Sequence, residues 1–355
     1  MTISRKGGRA AVAAVAGLAF GLWSAAAVAA RGSQVSSSLP APQLFAPGVI
    51  SGPGNDGAPT FTPSGRTLFF ERTNGRRAFL LTSRLTATGW SRPAPASFAG
   101  PWSDQQPALS PNGRYLVYVS SRAAARGGRA AHLYRVDRVR GGWSAPRELS
   151  ATVNFSSRVF KPSVAANGDL YFMADVGTGA PEPAKWRLFV SRFERGAYSK
   201  AEALPFSDGS HSDVDPAIAR DQSYIIFSSR DRPPFADGHE HLFIALREGA
   251  GWGSPQPMRY AGDTAGGDAG EANLSPDGRT LFFTSDRPAS AEPPETRQQM
   301  MAAFARMEVW DNGNSNVWTL PLAPYLAGKR APTADREEVF EQTVANVLGV
   351  RSALE

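Results

Sequence analysis

The chain has 355 residues, of which 42% are apolar and 20% are charged, and this composition excludes a wholly disordered or collagen-like protein. It has no cysteine, which excludes disulfides, thiolate metal sites, cysteine nucleophiles and lipoprotein anchoring. Its 35 glycines and 28 prolines favour many tight turns, and its net charge of +6 is too small to predict nucleic-acid binding by itself.

The first 30 residues have the pattern of a signal peptide. Arg5, Lys6 and Arg9 precede an uncharged run from Ala10 to Ala30, whose last residues are small, as signal peptidase requires. We therefore expect Sec-type export to the periplasm or the medium, followed by a linker over residues 31–40. An uncleaved membrane anchor is the alternative, because the run is long enough to span a bilayer, and it would be the chain's only membrane contact.

The rest of the chain repeats with a period of about 50 residues. Five units begin at Pro59, Pro107, Pro162, Pro216 and Ala272, at intervals of 48, 55, 54 and 56 residues. Each unit has a short apolar segment, then a turn such as Ser-Pro-Asn-Gly, then a run of aromatic and β-branched residues, which together predict a hairpin.

Two further strands follow in most units. The third contains a polar, an aliphatic and an aromatic residue, as in His132-Leu133-Tyr134, and the fourth follows a Gly-Trp-Ser-x-Pro turn, as at 89–93 and 142–146. Four antiparallel strands per repeat predict one blade of a β-propeller. The fold class is therefore all-β, with a propeller over residues 41–322 and an extension over residues 323–355.

The two ends of the repeat array predict how the ring closes. The last unit lacks a fourth strand, whereas Ala41-Pro42-Gln43-Leu44 resembles the fourth-strand sequence at 145–149. We expect this N-terminal segment to complete the fifth blade and to cover its edge. A sixth, degenerate blade within residues 288–315 is the alternative, although that segment has a helical pattern.

The Ser-Pro-Asp/Asn-Gly-Arg-x-Leu-x-Phe turns, with Thr-Ser-Asp-Arg at 284–287 and Ser-Ser-Arg at 120–122 and 228–230, resemble the WD40-like (PD40) repeats of the TolB-like propeller family. The Gly-Trp-Ser-x-Pro turns are similar to those of its exported members. TolB itself has an additional N-terminal domain, for which about ten residues remain here, so we do not expect this chain to be TolB. The repeat also occurs beside serine-peptidase domains, but the Gly-x-Ser-x-Gly elbow of such enzymes is missing from this sequence.

In such a blade, the loops between blades and those joining the second and third strands emerge on one face, which we call the loop face. The Ser-Pro-Asn-Gly and Gly-Trp-Ser turns emerge on the other, the turn face. Loops on a rigid scaffold commonly carry binding sites, so we expect the ligand or partner to bind the loop face. The inter-blade loops there are predicted to hold Asp56, Asp104, Arg158, Lys161, His211, Asp213, Asp215, Asp268 and Glu271.

These acids have two interpretations. They could converge at the channel mouth, where carboxylates coordinate a hard cation or perform acid/base chemistry. Alternatively, each acid bonds the backbone of its own loop, and we favour this because the acids recur with the repeat. We expect no cofactor, and leave open a structural divalent cation.

Two short motifs suggest metal binding without requiring it. His239 and His241 have the spacing of a metal pair, but His241 occupies a polar position that recurs in other units, so a structural role is favoured. Residues 311–316 resemble a calcium loop in composition but lack its closing glutamate, which favours a plain turn.

Two amphipathic helices are predicted outside the repeats. Met300, Met301, Phe304 and Met307 form an apolar face that we expect to pack on the propeller, the alternatives being a position over the channel or against a partner. Further along, an apolar stripe indicates a helix that either docks on the ring or binds a partner; its members are Phe340, Val344, Val347 and Leu348.

The sequence therefore predicts an exported, non-catalytic and monomeric propeller that binds a protein or envelope component, and not nucleic acid. The alternative is a glycan hydrolase or lyase in which Asp104, Asp213 and Glu271 are the reacting carboxylates.

Overall fold

A computed structural model of the chain describes residues 39–126, 130–177, 184–263, 267–289 and 293–327. The predicted signal peptide, most of the linker and the stripe from Phe340 to Leu348 lie outside these residues.

The described chain is a five-bladed propeller of antiparallel four-stranded sheets, as predicted. From the axis outwards, the first blade contains Asn55–Phe61, Thr67–Thr73, Ala78–Thr86 and Ala94–Pro95, and the second Asp104–Leu109, Tyr115–Ser120, His132–Val139 and Arg147–Glu148. The third contains Val159–Val164, Leu170–Asp175, Trp186–Ser191 and Glu202–Ala203, and the fourth Ser212–Ile218, Tyr224–Arg230, Glu240–Glu248 and Gln256–Pro257. The fifth contains Ala269–Leu274, Thr280–Ser285, Asn316–Pro321 and Gln43–Leu44.

Smaller elements decorate the blades. Two-residue strands at Gly89–Trp90, Gly142–Trp143 and Gly251–Trp252 pair antiparallel with the ends of the third strands of their blades, and Phe193–Glu194 pairs with Ala197–Tyr198. The helices are a 3₁₀ helix at Ser121–Arg126, then α1 (Arg297–Met307) and α2 (Ala323–Leu326). No helix among the described residues is both long enough and apolar enough to cross a membrane.

The ring closes where the sequence predicts. Gln43 pairs with Thr319 and Leu44 with Trp318, so the N-terminal segment forms the outer strand of the fifth blade. Phe45 follows this strand, is 2% exposed, and has its ring centroid 5.1 Å from that of Phe282. The interlock therefore combines strand pairing with a buried aromatic anchor.

The alternative of a sixth blade is wrong. The described part of residues 288–315 contains α1 and no strand. Thr296 caps this helix, because its side chain accepts a hydrogen bond from the backbone N–H of Gln299 while Gln299 Oε1 accepts one from the backbone N–H of Thr296.

The expected packing of α1 on the propeller is also wrong. None of its residues is buried, and Met300, Met301, Phe304 and Met307 are 50–59% exposed. The amphipathic pattern gives the apolar face of this helix correctly, but that face is exposed because the half-buried side of the helix is the one with Ala303 and Arg306, and Arg306 donates to Asp311.

Candidate functional site

Each inner strand has a β-bulge at the same place. The register shifts in all five strands, and the first bulge residue has a positive φ of 47–57°. In the first four blades a proline follows this residue. The five equivalent residues are Ala58, Gln106, Lys161, Asp215 and Glu271.

Four of these five bulge residues meet at the propeller axis: Gln106, Lys161, Asp215 and Glu271. Gln106 of the second blade donates through Nε2 to Glu271 Oε1 of the fifth (3.1 Å), and its Oε1 accepts from the backbone N–H of Lys161 (2.9 Å). Lys161 Nζ in turn donates to the carbonyl of Ala272 (2.7 Å). The third and fifth blades are not neighbours, so this bond crosses the axis.

Two more carboxylates complete what we call the axis network: Glu71, Gln106, Lys161, Asp215 and Glu271. Glu71 Oε2 accepts from the backbone N–H of Gln106 (2.7 Å), and Asp215 Oδ2 accepts from the backbone N–H of Glu271 (2.7 Å). Glu271 is half-buried, whereas the other four are buried.

Glycine makes room for the carboxylate of Glu271. A Cβ on Gly57 would lie 1.8 Å from Glu271 Oε2 and 2.7 Å from Thr284 Oγ1, which itself donates to Glu271 Oε2. A side chain at position 57 would therefore force the carboxylate of Glu271 out of this position between the first and fifth blades.

Burial dominates the electrostatics of the network. It raises the pKa of Asp215 to about 7, with nearby Glu271 and Glu240 adding to the rise and Lys161 opposing it. Burial and the charge of Glu271 also raise the pKa of Glu71, while burial lowers the pKa of Lys161 against the opposing effect of the carboxylates. Burial therefore brings the pKa of Asp215 close to neutral pH.

The assignment of the predicted site residues to loops is partly wrong. Asp56, Asp104, Lys161, Asp213, Asp215 and Glu271 lie within the inner strands, and Arg158, His211 and Asp268 lie just before them. The physical reason is that each inner strand begins before its bulge. The polar residues before and at the bulge are therefore part of the strand next to the axis and not part of the inter-blade loop.

Three of the acids pair with an arginine of their own blade. Asp213 Oδ1 and Oδ2 both accept from Arg232 Nη2 at 2.9 Å, Asp104 Oδ2 accepts from Arg122 at 3.2 Å, and Asp56 from Arg72 at 2.5 Å. Asp56 and Asp104 also accept a backbone N–H from their own loop, from Gly52 and Gly100. Burial raises the pKa of Asp56 to about 6 despite Arg72. These contacts are those expected of acids that hold their own loops.

The remaining predicted residues lie apart from the axis network. Arg158 pairs with Asp175 at 3.1 Å and lies over the ring of Trp186, and His211 is half-buried. Asp268 accepts the backbone N–H of Glu240 at 2.8 Å.

The two histidines of the predicted metal pair contact different groups. His239 Nδ1 lies 3.4 Å from Asp268, whereas His241 Nε2 lies 2.9 Å from Asp237 and its ring stacks on Phe235 at 3.7 Å. In the part of the chain that the structure describes, no group of three or more His, Asp or Glu side chains is arranged to hold a metal ion. In the segment 311–316, Asn316 Nδ2 donates to the carbonyls of Trp310 and Asn314.

The two ends of the propeller axis differ. On the turn face, the guanidinium of Arg220 donates to the carbonyls of Pro276 (2.8 Å) and Pro111 (2.9 Å), and so joins turns of three blades. On the loop face, the side chains of Arg230, Asp237, His239 and Asp268 are 41–49% exposed. The turn face exposes charge as well, at Arg114 and Asp221, so what distinguishes it is the arginine bridge between the turns of three blades.

Sequence reasoning missed Glu71, Gln106 and Arg220. The repeat alignment held a signal for two of them: Gln106 stands in the bulge slot occupied by Lys161 and Asp215, and Arg220 stands where three other turns have proline. Glu71 gives no such signal, because it lies on a second strand whose equivalents vary.

No protein-family model and no curated protein matches this chain. Among solved structures it is similar to a protein assigned as TolB in Agrobacterium tumefaciens (13% identity, TM-score 0.45, 76% of this chain and 91% of that one). It is also similar to TolB from Acinetobacter baumannii (13% identity, TM-score 0.42, 76% of this chain but 54% of that one) and to an endo-arabinase from Bacteroides thetaiotaomicron (16% identity, TM-score 0.45, 79% and 97%). Likeness at this level concerns the propeller fold and assigns none of these activities to the chain.

Proposed function

We propose that this chain is an exported, non-catalytic β-propeller that binds a protein or another component of the cell envelope on its loop face. The observation that carries the proposal is the difference between the two ends of the propeller axis. On the loop face, the fourth blade and the loop after it expose charged side chains such as Arg230 and Asp268, and Glu271 is half-buried, whereas Arg220 bridges the turns on the opposite face. Loops of this kind on a rigid scaffold suit the recognition of a partner.

Cross-linking from each face tests the proposal. A photoactivatable residue at position 239, on the loop face, should capture a partner in the envelope fraction of producing cells, and one at the exposed position 114, on the turn face, should not. The substitution Asp268→Lys should reduce capture from position 239 several-fold, because it reverses an exposed charge beside that position. Equal capture from both faces, or none from position 239, would count against the proposal.

A specific observation also favours the glycan-active alternative. Two of the three carboxylates predicted from the sequence, Asp104 and Asp213, are paired with arginines. However, Asp215 and Glu71 lie beside the third, Glu271. The pKa of Asp215, about 7, is in the range useful to a general acid. Assays on a panel of envelope and plant polysaccharides should show activity that Glu271→Gln abolishes, and equal inactivity of both proteins would remove this alternative.

A further inference from the structure

The exposed apolar face of α1 is held in place from both ends of the helix. The Thr296–Gln299 capping box fixes its start. At its end, Arg306 Nε donates to Asp311 Oδ2 at 3.3 Å. The exposure of Met300, Met301, Phe304 and Met307 is therefore a property of a well-anchored helix.

Residues 328–355 of this chain, which lie outside the described part, contain a matching apolar stripe. Phe340, Val344 and Val347 are spaced as i, i+4 and i+7, as are Met300, Phe304 and Met307 of α1. Two such stripes can pack along each other, and methionine side chains adapt readily to the shape of an apposed surface.

The charges of the two segments are complementary. The helix α1 contains Arg297 and Arg306 and no acidic residue within its bounds, with Glu295 and Glu308 just outside them. Glu337, Glu338 and Glu341 lie around the start of the second stripe, after Arg336. Opposite charges around an apolar contact favour one pairing over others.

The last described residues, in α2, lie near the insertion that carries α1, so the following segment can reach this helix. Tyr325 Oη in α2 donates to the carbonyl of Arg259 (2.7 Å), and Arg287, at the start of the insertion that carries α1, donates to the carbonyl of Ala261 (3.0 Å). Both therefore contact the same stretch of the fourth blade. The twelve residues from 328 to 339 can span about 40 Å when extended, whereas α1 is about 16 Å long.

We propose that the stripe formed by Phe340, Val344, Val347 and Leu348 packs on the exposed apolar face of α1 in the same chain. This contact covers the face that the propeller leaves open and places a second helix on the loop-face insertion. It is independent of any partner captured by the loop face, because it needs only the purified chain.

Cross-linking within the purified full chain tests the proposal. A photoactivatable phenylalanine analogue at position 304, which is 57% exposed, should become linked to the tryptic peptide 337–351 of the same chain. The same analogue at Val139, which is 47% exposed on another blade, should not. A mixture of isotope-labelled and unlabelled protein separates links within one chain from links between two copies.

Substitutions in the stripe give a matched control. Val344→Asp should reduce the link several-fold and should speed the oxidation of Met300 and Met301 by dilute peroxide, because a buried charge disfavours the contact. Gln342→Asp, on the opposite side of the predicted helix, should change neither, and the buried Met173 and Met258 serve as internal references. Links only between copies, no link to 337–351, or equal effects of the two substitutions would overturn the proposal.

Discussion

Lys161 donates a 2.7 Å hydrogen bond from Nζ to the carbonyl of Ala272 and thereby ties the third blade to the fifth across the propeller axis. Lys161 is 1% exposed, and its amino group interacts with the carboxyl groups of Asp215, Glu271 and Glu71. The Lys161 side chain thus connects two blades by a hydrogen bond and supplies the positive charge that balances the carboxylates of the axis network.

We expect Lys161→Met to lower the free energy of unfolding by about 3–5 kcal/mol. The substitution keeps most of the volume but leaves buried carboxylates without their cation, and the loss of one partner of a buried charge pair has this magnitude. Urea unfolding followed by circular dichroism measures the effect, with the exposed Lys200→Met as control. Similar midpoints for the two variants would show that Lys161 has little part in holding the ring.

We expect the stability contributed by Asp215 to fall as the pH rises from about 4 to 7. Its carboxyl has an ordinary pKa of 3.8 when the chain is unfolded and about 7 when it is folded. Unfolding therefore releases a proton in this window, so the contribution is fully present below pH 4 and is lost as the pH passes 7.

The variant Asp215→Asn isolates this effect. It should melt close to the parent protein at pH 4 and above it at pH 8, because an amide cannot ionise. The exposed Asp221→Asn is the control, and it should show the same difference from the parent at both pH values. If the Asp215→Asn difference is also independent of pH, the axis carboxyls do not titrate as described.

We expect Gly57→Ala to destabilise the protein by about 1–3 kcal/mol, since the added methyl group overlaps the carboxylate of Glu271. Gly142→Ala is the matched control, as no atom lies within 4 Å of the added Cβ there. Gly57→Ala should reduce the stability less when it is made in the Glu271→Ala variant, because that variant lacks one of the two side chains that the methyl group overlaps. Equal costs in both backgrounds, measured by thermal melting, would contradict the close approach.

We expect deletion of residues 41–50 to lower the melting temperature sharply or to cause aggregation. The deletion removes the pairing of Gln43 and Leu44 with the fifth blade and the buried Phe45. Four or five lost backbone hydrogen bonds, each worth about 1 kcal/mol net, rival the whole stability margin of a typical domain. Deletion of residues 31–38 should have little effect, and a 41–50 deletion that melts like the parent would show that the ring does not depend on this strand.

The blades and their closure could be predicted because their signals are local. A turn such as Ser110-Pro111-Asn112-Gly113 between two apolar runs specifies a hairpin without reference to the rest of the chain, and Gly113 indeed has a φ of 70°. The outer strand at Gln43 could be assigned because it resembles a segment with a known place in the repeat.

The axis network could not be predicted because it depends on which side chains meet across the ring. Gln106 and Glu271 are 165 residues apart and belong to different blades. The proline that follows the bulge residue in four blades marks the repeat, but it does not show that the preceding side chains meet at the axis. The exposure of Phe304 could not be predicted for a related reason. An apolar stripe indicates which side of a helix is apolar, but it does not show which part of the protein packs against that side.

The five bulges let the residue at one position of each blade vary while the backbone conformation stays the same. Each holds its first residue in the same left-handed conformation, which side chains other than glycine adopt only at an energetic cost, so the surrounding sheet must impose it. The backbone has the same conformation at this position in all five blades, and the residues found there are alanine, glutamine, lysine, aspartate and glutamate. These side chains occupy equivalent places but differ in their chemistry. Substitutions at these five positions, together with Glu71 on a second strand, can therefore change the charge and proton affinity of the axis while the blades keep their backbone structure.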